Sequence, residues 1–382
     1  MNRKAQFILG TLAVAVICTL IVSVLRAQPN GVAPGQQPGE KTAEQQFKNI
    51  QVLKGIPADE LIPSMQFITA SLGVECDFCH VQGAFDKDDK KTKQTARKMM
   101  EMMFAINADN FDRNREVTCY TCHRGNSKPV SMPPVMTAEM MANMMANPPE
   151  TTAGSNPQES GGPTAAQLFD KYVQASGGAA AIDKITSRVM KGTISFGAHS
   201  WPIDIYSKEP DERISFTHLP EGDNITAFNG HEGWLGPMGR IHDMHGGELD
   251  GAAIDADLHL ATHLQGMFSQ MKVTGPEKIG DHQTYEVLGE REGKTPIELY
   301  FDEQSGLLVR MVRYNESALG RLPTQIDYAD YRDADGVKIP YQWTLARPGG
   351  RFTIQVSEVQ QNVPVDDAKF VKPAPPEPPK TK

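Results

Sequence analysis

Apolar and polar residues alternate in two different ways along this chain, and the change falls near residue 164. Upstream of it, apolar side chains recur every three or four residues, which predicts amphipathic helices. Downstream, short runs alternate with a period of two and are separated by turn residues, which predicts strands. The pattern therefore predicts a mainly helical domain followed by an α+β domain.

Two helical stretches stand out in the upstream part. The first has Leu61, Met65, Ile68 and Leu72 on one face, and the second has Met99, Met102, Met103 and Ile106. Gly73 follows the first stretch and predicts its end, because glycine readily adopts the left-handed conformation that stops a helix. Each apolar face predicts packing against another apolar surface.

The downstream part begins with a helix that carries Leu168, Phe169, Tyr172 and Val173 and ends at Gly177-Gly178. Predicted strands follow at 189–196, 202–206, 213–217, 225–228, 285–288, 297–301, 307–314, 325–331, 341–345 and 352–359. One predicted helix, at about 250–267, interrupts the series. Asp335-Gly336 and Ser305-Gly306 supply turns. We therefore predict a large curved antiparallel sheet, a half-barrel, over residues 164–372.

The remaining segments are distinguished by composition. A basic start followed by the apolar run Phe7 to Leu25 predicts a signal peptide or a membrane anchor at 1–27. The other predicted segments are a flexible tether at 28–42, the helical domain at 43–128, a Pro/Met-rich linker at 129–163 and a disordered tail at 373–382.

Two CxxCH motifs lie in the helical domain, Cys76 to His80 and Cys119 to His123. This spacing is typical of covalent haem c, in which two thiols form thioethers with the vinyl groups and the histidine binds the iron. The four cysteines can instead form a zinc site or a redox dithiol pair. Zinc is disfavoured because the 39 intervening residues exceed the usual spacing. We therefore predict two covalently bound haems, anchored by Cys76, Cys79, Cys119 and Cys122.

Methionine is concentrated near these motifs: 11 of the 18 residues lie between Met65 and Met145. Met65 is the candidate sixth ligand of the first haem, and a methionine of the second helical face is the candidate for the other. A thioether ligand favours Fe(II) and raises the reduction potential. The alternative is that these methionines only pack against porphyrin. In the linker, Met136, Met140, Met141, Met144 and Met145 predict a short packed helix, with soft-metal binding as the alternative.

Charge and histidine placement add little further chemistry. The net charge of -9 disfavours nucleic-acid binding. Arg115 and Arg124 are candidates to pair with haem propionates, with a solvated surface position as the alternative. The charged run 86–91 predicts a solvated loop, with a docking surface as the alternative. His242, His245, His259 and His263 are candidate metal ligands, with packing as the default. No nucleotide loop or nucleophile elbow is present. The haem motifs predict an electron carrier rather than an enzyme, with peroxidase activity as the alternative.

Residues 45–128 resemble the cytochrome c subunit of the photosynthetic reaction centre. The segments that carry this resemblance are 49–55, Met65, 72–74, 76–80, 96–97, Met99, Met102, 106–107 and 117–125. The resemblance implies that His80 and His123 are proximal ligands, that Met65 is the distal ligand of the first haem, and that Met102 rather than Met99 serves the second. That subunit carries four haems, whereas this chain has two motifs. A respiratory relay is therefore the alternative context.

The half-barrel domain is similar to periplasmic outer-membrane lipoprotein carriers. The strings that carry this likeness are 299–302, 305–310, 330–332 and 335–340. The likeness implies a curved sheet that holds acyl chains, and so a hydrophobic ligand for this domain.

Together these features predict a periplasmic dihaem c-type cytochrome, associated with the cytoplasmic membrane through its N-terminal segment. It would transfer electrons between redox partner proteins. Two other classes remain open. A dihaem peroxidase requires one displaceable sixth ligand, and a redox-sensing lipid or lipoprotein carrier would use the half-barrel as its working part.

Overall fold

The computed structural model describes residues 41–129 and 162–374. The predicted export segment, most of the tether, the methionine-rich linker and the tail lie outside the described residues and stay predictions. Within the described ranges, no helix combines the length and apolar character needed to cross a membrane.

Short and long helices build the first part of the chain. They are α1 (Ala43–Gln46), α2 (Leu61–Leu72), α3 (Lys91–Asn110) and α4 (Cys119–His123), with 3-10 turns at Ala58–Glu60 and Cys76–Phe78. Helix α2 ends where predicted, because Gly73 adopts a left-handed conformation with φ of 63°. The second part adds α5 (Ala165–Ala175), α6 (Ala179–Ile182), α7 (Gly246–Ala256), α8 (Leu260–Met267) and a 3-10 turn at Asp367–Phe370.

Thirteen antiparallel strands form one sheet in the second part. They are β1 (Ser187–Phe196), β2 (His199–Lys208), β3 (Glu212–Leu219), β4 (Gly222–Asn229), β5 (Gly233–Pro237), β6 (His242–Asp243), β7 (Gln270–Ile279), β8 (His282–Glu290), β9 (Ile297–Asp302), β10 (Leu308–Ser317), β11 (Gly320–Ala334), β12 (Val337–Arg347) and β13 (Gly350–Gln361). The spatial order is β6-β5-β4-β3-β2-β1-β13-β12-β11-β10-β9-β8-β7. The predicted fold class is confirmed.

The first and last strands, β1 and β13, lie side by side in the middle of the sheet. Strands β1 to β6 run in sequence to one edge, α7 and α8 then lead to the opposite edge, and β7 to β13 return until β13 pairs with β1. Strands β5, β6 and β7 were missed from the sequence, because β5 and β6 are short and β7 is largely exposed and contains Gly275-Pro276. The helix predicted at 250–267 is two helices, separated where Asp257 is extended.

The helix-covered face of the sheet is filled largely by the protein itself. Its core combines residues of α5, α7 and α8 with residues of β8 to β11. The fully buried side chains Leu264, Val287, Leu299 and Met311 lie at its centre. Helices therefore occupy much of the space that an acyl chain would need in a carrier.

The tip of the β10–β11 hairpin packs into the helical part. Leu319 is fully buried there, and it shares a core with Phe67 of α2 and Met103 of α3. Gly320 allows this approach, because a Cβ at that position would lie 2.4 Å from a ring carbon of Phe67. Beside the tip, Arg115 pairs with Glu316 at 2.7 Å. The helical part and the sheet thus share one hydrophobic core at this junction.

Replacing Leu319 with alanine tests this junction. We expect Leu319→Ala to lower the free energy of unfolding by about 3 kcal/mol, because it leaves a cavity in a closed core. Denaturant unfolding monitored by tryptophan fluorescence and circular dichroism measures the change. Met238→Ala is the control, since that side chain is 58% exposed. Equal stability of the two variants would contradict the described packing.

Candidate haem-binding site

Each cysteine motif is built on one helical turn. In the first, the backbone N–H of His80 donates to the carbonyl of Cys76 at 3.0 Å, and the second forms α4. All four thiols are free, with Cys76 and Cys122 exposed and the other two half-buried. Burial raises the pKa of the Cys79 and Cys119 thiols. Two protonated thiols differ from the low-pKa pair that a redox dithiol uses.

The two motif histidines make the same hydrogen bond. Nδ1–H of His80 donates to the carbonyl of Phe85 at 2.9 Å, and Nδ1–H of His123 donates to the carbonyl of Asn126 at 2.9 Å. A carbonyl oxygen only accepts, so each bond fixes the proton on Nδ1 and leaves Nε2 as a lone-pair donor. Histidines that bind a metal are commonly oriented in this way.

The first turn of α3 supports the first motif. Thr92 and Lys90 donate side-chain hydrogen bonds to the carbonyls of Phe78 and Asp77, inside the motif. Lys93 donates to the carbonyl of Phe85 at 2.8 Å, which is the oxygen that also receives the His80 proton. The position of His80 therefore depends on the start of α3.

The end of α3 supports the second motif through Asn107, which is only 5% exposed. Its Nδ2 donates to the carbonyl of Val117 at 2.7 Å, and its Oδ1 accepts from the N–H of Val117 at 2.9 Å. This pair of bonds fixes the segment that enters the motif at Cys119. The sequence had drawn attention to Asn107 only through the family resemblance.

A direct backbone contact joins the two motif regions. The N–H of Gly125, just after the second motif, donates to the carbonyl of Ser71 near the end of α2 at 2.8 Å. A Cβ at Gly73 would lie 2.1 Å from the carbonyl oxygen of Gly125, so only glycine allows this approach. Helix α2 therefore packs against the second motif as well as leading into the first.

The run 86–91 is more than a solvated loop. Arg97 of α3 forms two hydrogen bonds with Asp88, at 2.8 and 2.9 Å, and Asn49 donates to the same carboxylate at 3.0 Å. The hydrogen bonds from Arg97 and then Asn49 lower the pKa of Asp88. Asp88 thus ties the start of the domain to α3.

The predicted methionine ligands lie in different surroundings. Met65 is half-buried against the helical core, while Met99 and Met102 are 40% and 48% exposed. Met103 had been predicted to share their face, and this is wrong: Met103 is buried with Met100 and packs with Leu319. Met99 and Met102 are the second-helix methionines open to a group outside the core. Their ligation, like that of Met65, stays a prediction.

Large apolar side chains are exposed in the helical part that carries the motifs. They are Ile62, Phe78, Phe85, Met99, Met102, Phe104, Phe111 and Tyr120. Exposed apolar patches of this kind mark binding surfaces, since they leave apolar area in water. An apolar, planar prosthetic group with thiol and imidazole attachment fits this combination of residues.

The alternative metal sites receive no geometric support. Among residues 41–129 and 162–374, no three His, Cys, Asp or Glu side chains converge as ligands. The two cysteine pairs therefore do not meet as a four-thiolate zinc site. His259 donates to the carbonyl of Ile185 at 2.9 Å, and His263 bonds to Asp257 at 2.9 Å. Arg115 bonds to the sheet, while Arg124 is exposed at the end of α4.

The N-terminal part of the chain is similar to c-type cytochromes, as its motifs predicted. Within that class, residues 19–176 match the family model of the photosynthetic reaction centre cytochrome C subunit. The cytochrome c subunit of Thermochromatium tepidum is 36% identical over 112 residues, which cover 28% of each chain. Cytochrome c-554 of Chloroflexus aurantiacus is 34% identical over 82 residues, or 20% of each chain. The chain thus spans less than a third of the length of these relatives.

The sheet part is similar to other solved structures. A LolA superfamily protein from Nitrosomonas europaea has a TM-score of 0.38 and 16% identity, and the match covers 55% of this chain and 99% of that one. A DUF1329 family protein from Desulfovibrio piger has a TM-score of 0.38 and 14% identity, covering 53% and 95%.

Removing the Asn107 side chain tests the support of the second motif. We expect Asn107→Ala to lower the free energy of unfolding by about 2 kcal/mol, because both polar groups of Val117 lose their partner. Covalent haem at Cys119 and Cys122 should fall relative to that at Cys76 and Cys79, as measured by mass spectrometry of proteolytic peptides. Asn110→Ala is the matched control, since Asn110 is exposed and makes one bond, to the carbonyl of Ile106. Equal loading in both variants would contradict the role of Asn107.

Proposed function

We propose that residues 43–128 form a dihaem c-type cytochrome domain that carries electrons between redox partners. The observation that carries this proposal is the repetition of one arrangement. Each CxxCH turn has two free thiols and a histidine whose Nδ1–H is bound by a backbone carbonyl, next to exposed apolar side chains. The likeness to reaction centre cytochrome subunits and to a cytochrome c-554 supports it.

In this proposal the cysteines attach the haems and the histidines bind the iron. Cys76, Cys79, Cys119 and Cys122 anchor the haems through thioether bonds, and His80 and His123 present Nε2 to the iron. When bound, haem supplies a one-electron couple between Fe(II) and Fe(III). The carbonyl acceptors of Phe85 and Asn126 keep each imidazole in one tautomer, so its orientation does not depend on solvent.

Methionine would set the potential range. Met65 is assigned to the first haem and Met102 to the second, in agreement with the accessible face of α3. A thioether stabilises Fe(II) relative to bis-histidine ligation, so both centres would accept electrons readily. Such a protein serves a strong oxidant. A photo-oxidised pigment pair is one such acceptor, and a respiratory oxidase chain is another.

We place this domain in the periplasm, held near the cytoplasmic membrane by the N-terminal apolar segment. Two features of the sequence support this: the basic start followed by the run Phe7 to Leu25, and the covalent haem motifs, which are matured outside the cytoplasm. The donor and acceptor are redox proteins that dock near the exposed apolar residues of the motifs.

The two rival functions lack a favouring observation. A peroxidase needs an open iron position, yet methionines precede both motifs. A lipid carrier needs apolar space on the inner side of the sheet, yet α5, α7 and α8 pack there with their own side chains. Electron transfer without a chemical substrate is therefore the function that the geometry supports best.

Paired cysteine substitutions test the haem count. We expect the wild-type chain, expressed with a haem-maturation system, to carry two covalent haems by intact mass. Cys76→Ser with Cys79→Ser should remove one, and Cys119→Ser with Cys122→Ser should remove the other. Cys18→Ser is the control and should retain both, because Cys18 belongs to neither motif. A wild-type protein with one haem or none would contradict the proposal.

Methionine substitutions test the sixth ligands. Met65→Ala and Met102→Ala should each lower one midpoint potential and weaken the near-infrared charge-transfer band of methionine on Fe(III), because the thioether no longer stabilises Fe(II). Met100→Ala is the matched control: the side chain is 7% exposed, so its loss should reduce stability without removing that band. If Met99→Ala abolishes the band of the second haem and Met102→Ala does not, Met99 replaces Met102 in the assignment.

A further inference from the structure

Two arginines project from neighbouring positions on one face of the sheet. Arg188 of β1 is opposite Ser207 of β2, and Ser207 is opposite Arg213 of β3. Residues paired across antiparallel strands lie on the same face, and two strand spacings separate the arginine backbones by about 10 Å. The two guanidinium groups therefore share one region, which lies outside the haem domain.

This is the face that the helices cover. Two residues further along the same strands, Met190 and Ile205 are buried with Ile354, and Trp343 and Leu345 pack against them. Trp343 and Leu345 also pack against the core that contains α5, α7 and α8. Arg188 and Arg213 thus lie on the inner side of the sheet, and not on its outer surface.

Neither arginine has a carboxylate partner. Arg188 donates one hydrogen bond, from Nη2 to Oε1 of Gln361 at 3.2 Å, and its buried Nε has no partner. The Arg213 side chain has no hydrogen bond or ion pair with any residue in the part of the chain that the structure describes. Burial lowers the pKa of Arg188 to about 10, and repulsion from Arg213 adds to this. Both groups remain charged at neutral pH.

Arg313, by contrast, is an arginine of the same sheet whose hydrogen-bond donors do have partners. Arg313 of β10 forms two bonds with Asp255 of α7, at 2.9 and 3.1 Å, and a third with the carbonyl of Gly251 at 2.6 Å. Asp255 is therefore engaged by Arg313. Its negative charge also acts on Arg213 and partly offsets the burial that lowers the pKa of Arg213, but the two side chains form no hydrogen bond or ion pair. By contrast, the residues that face Arg188 and Arg213 on the neighbouring strands are uncharged. They are Gln361 and Ser207 beside Arg188, and Ser207 and Phe228 beside Arg213.

Two half-buried guanidinium groups without an ion-paired carboxylate are costly, because arginine does not neutralise by losing its proton. Asp255, the carboxylate whose charge acts on Arg213, is already paired with Arg313. An oxyanion removes that cost, since each planar fork donates two parallel hydrogen bonds to it. Two positive charges match a phosphate group better than a singly charged carboxylate. The apolar side chains Met190, Ile205 and Phe228 adjoin the pair and suit an organic substituent.

We propose that Arg188 and Arg213 bind a phosphate group on the inner side of the half-barrel, supplied either as free phosphate or as a phosphate ester with an apolar tail. This site is separate from the haem motifs and does not depend on the electron-transfer proposal.

Calorimetric titration and thermal unfolding of the haem-loaded, full-length protein test this site. The probes are inorganic phosphate and octyl phosphate below its micellar concentration, at constant ionic strength with chloride as the reference. We expect at least one probe to raise the Tm of the wild type. Arg213→Gln and Arg188→Gln should weaken binding by about tenfold or more, because a charged bidentate partner is lost. Arg213→Lys should retain part of the affinity, since it keeps the charge without the fork.

Arg351→Gln is the matched control. Arg351 is exposed and alternates with the inward-facing Phe352 and Ile354, so it lies on the other face, and its replacement should leave binding unchanged. Without phosphate, Arg213→Gln should unfold at the wild-type temperature or above, because it removes an unpaired charge. If Arg188→Gln fails to fold, Arg213→Gln carries the test.

The two probes also distinguish the source of the phosphate. Equal affinity for both supports free phosphate, whereas tighter binding of octyl phosphate supports an ester. No effect of either probe on the wild type overturns the proposal, as does an equal effect on Arg213→Gln. Loss of stability in Arg213→Gln without phosphate also overturns it, since the arginine would then support the fold itself.

Discussion

The proposed site depends on the hydrogen bonds from helix Lys91–Asn110 to the first cysteine motif and to the segment that leads into the second. A CxxCH turn is too short to hold its own backbone, so something outside it must bind the orphan carbonyls and N–H groups. Thr92 and Lys93 do this near the first motif, and Asn107 does it for the segment that enters the second. One rigid helix therefore sets the relative position of the two attachment points.

The same helix joins the cytochrome part to the sheet. Its buried face carries Met100 and Met103, and these pack with Leu319 at the tip of the β10–β11 hairpin. The adjacent side of the helix carries Met99 and Met102, which are exposed. Packing against the hairpin thus decides which methionines belong to the core and which are free to serve a prosthetic group. A cytochrome part cut from the sheet would keep the contacts of this face with Leu61, Phe67 and Ile68 but lose those with Leu319 and Leu322.

Local features of the site were readable from the sequence and long-range ones were not. The CxxCH spacing and the glycine that ends α2 depend on adjacent residues, so the motifs could be found in the sequence and the end of that helix was predicted correctly. The ligand roles of the histidines stay predictions. The face of Met103 was misjudged because helical periodicity leaves neighbouring positions ambiguous, and its partner Leu319 is more than two hundred residues away. The sheet class followed from alternation, but the short strand Gly233–Pro237 and the exposed strand Gln270–Ile279 gave weak patterns. The bond between Arg115 and Glu316 has no local signal at all.

A spectroelectrochemical titration of the mature wild-type protein tests the central claim most directly. It reads the number of haems, their spin states and both midpoint potentials from one sample. The account predicts two low-spin, six-coordinate haems, two one-electron transitions at high potential and a methionine charge-transfer band in the oxidised protein. A single haem, or a high-spin centre of low potential, would contradict it.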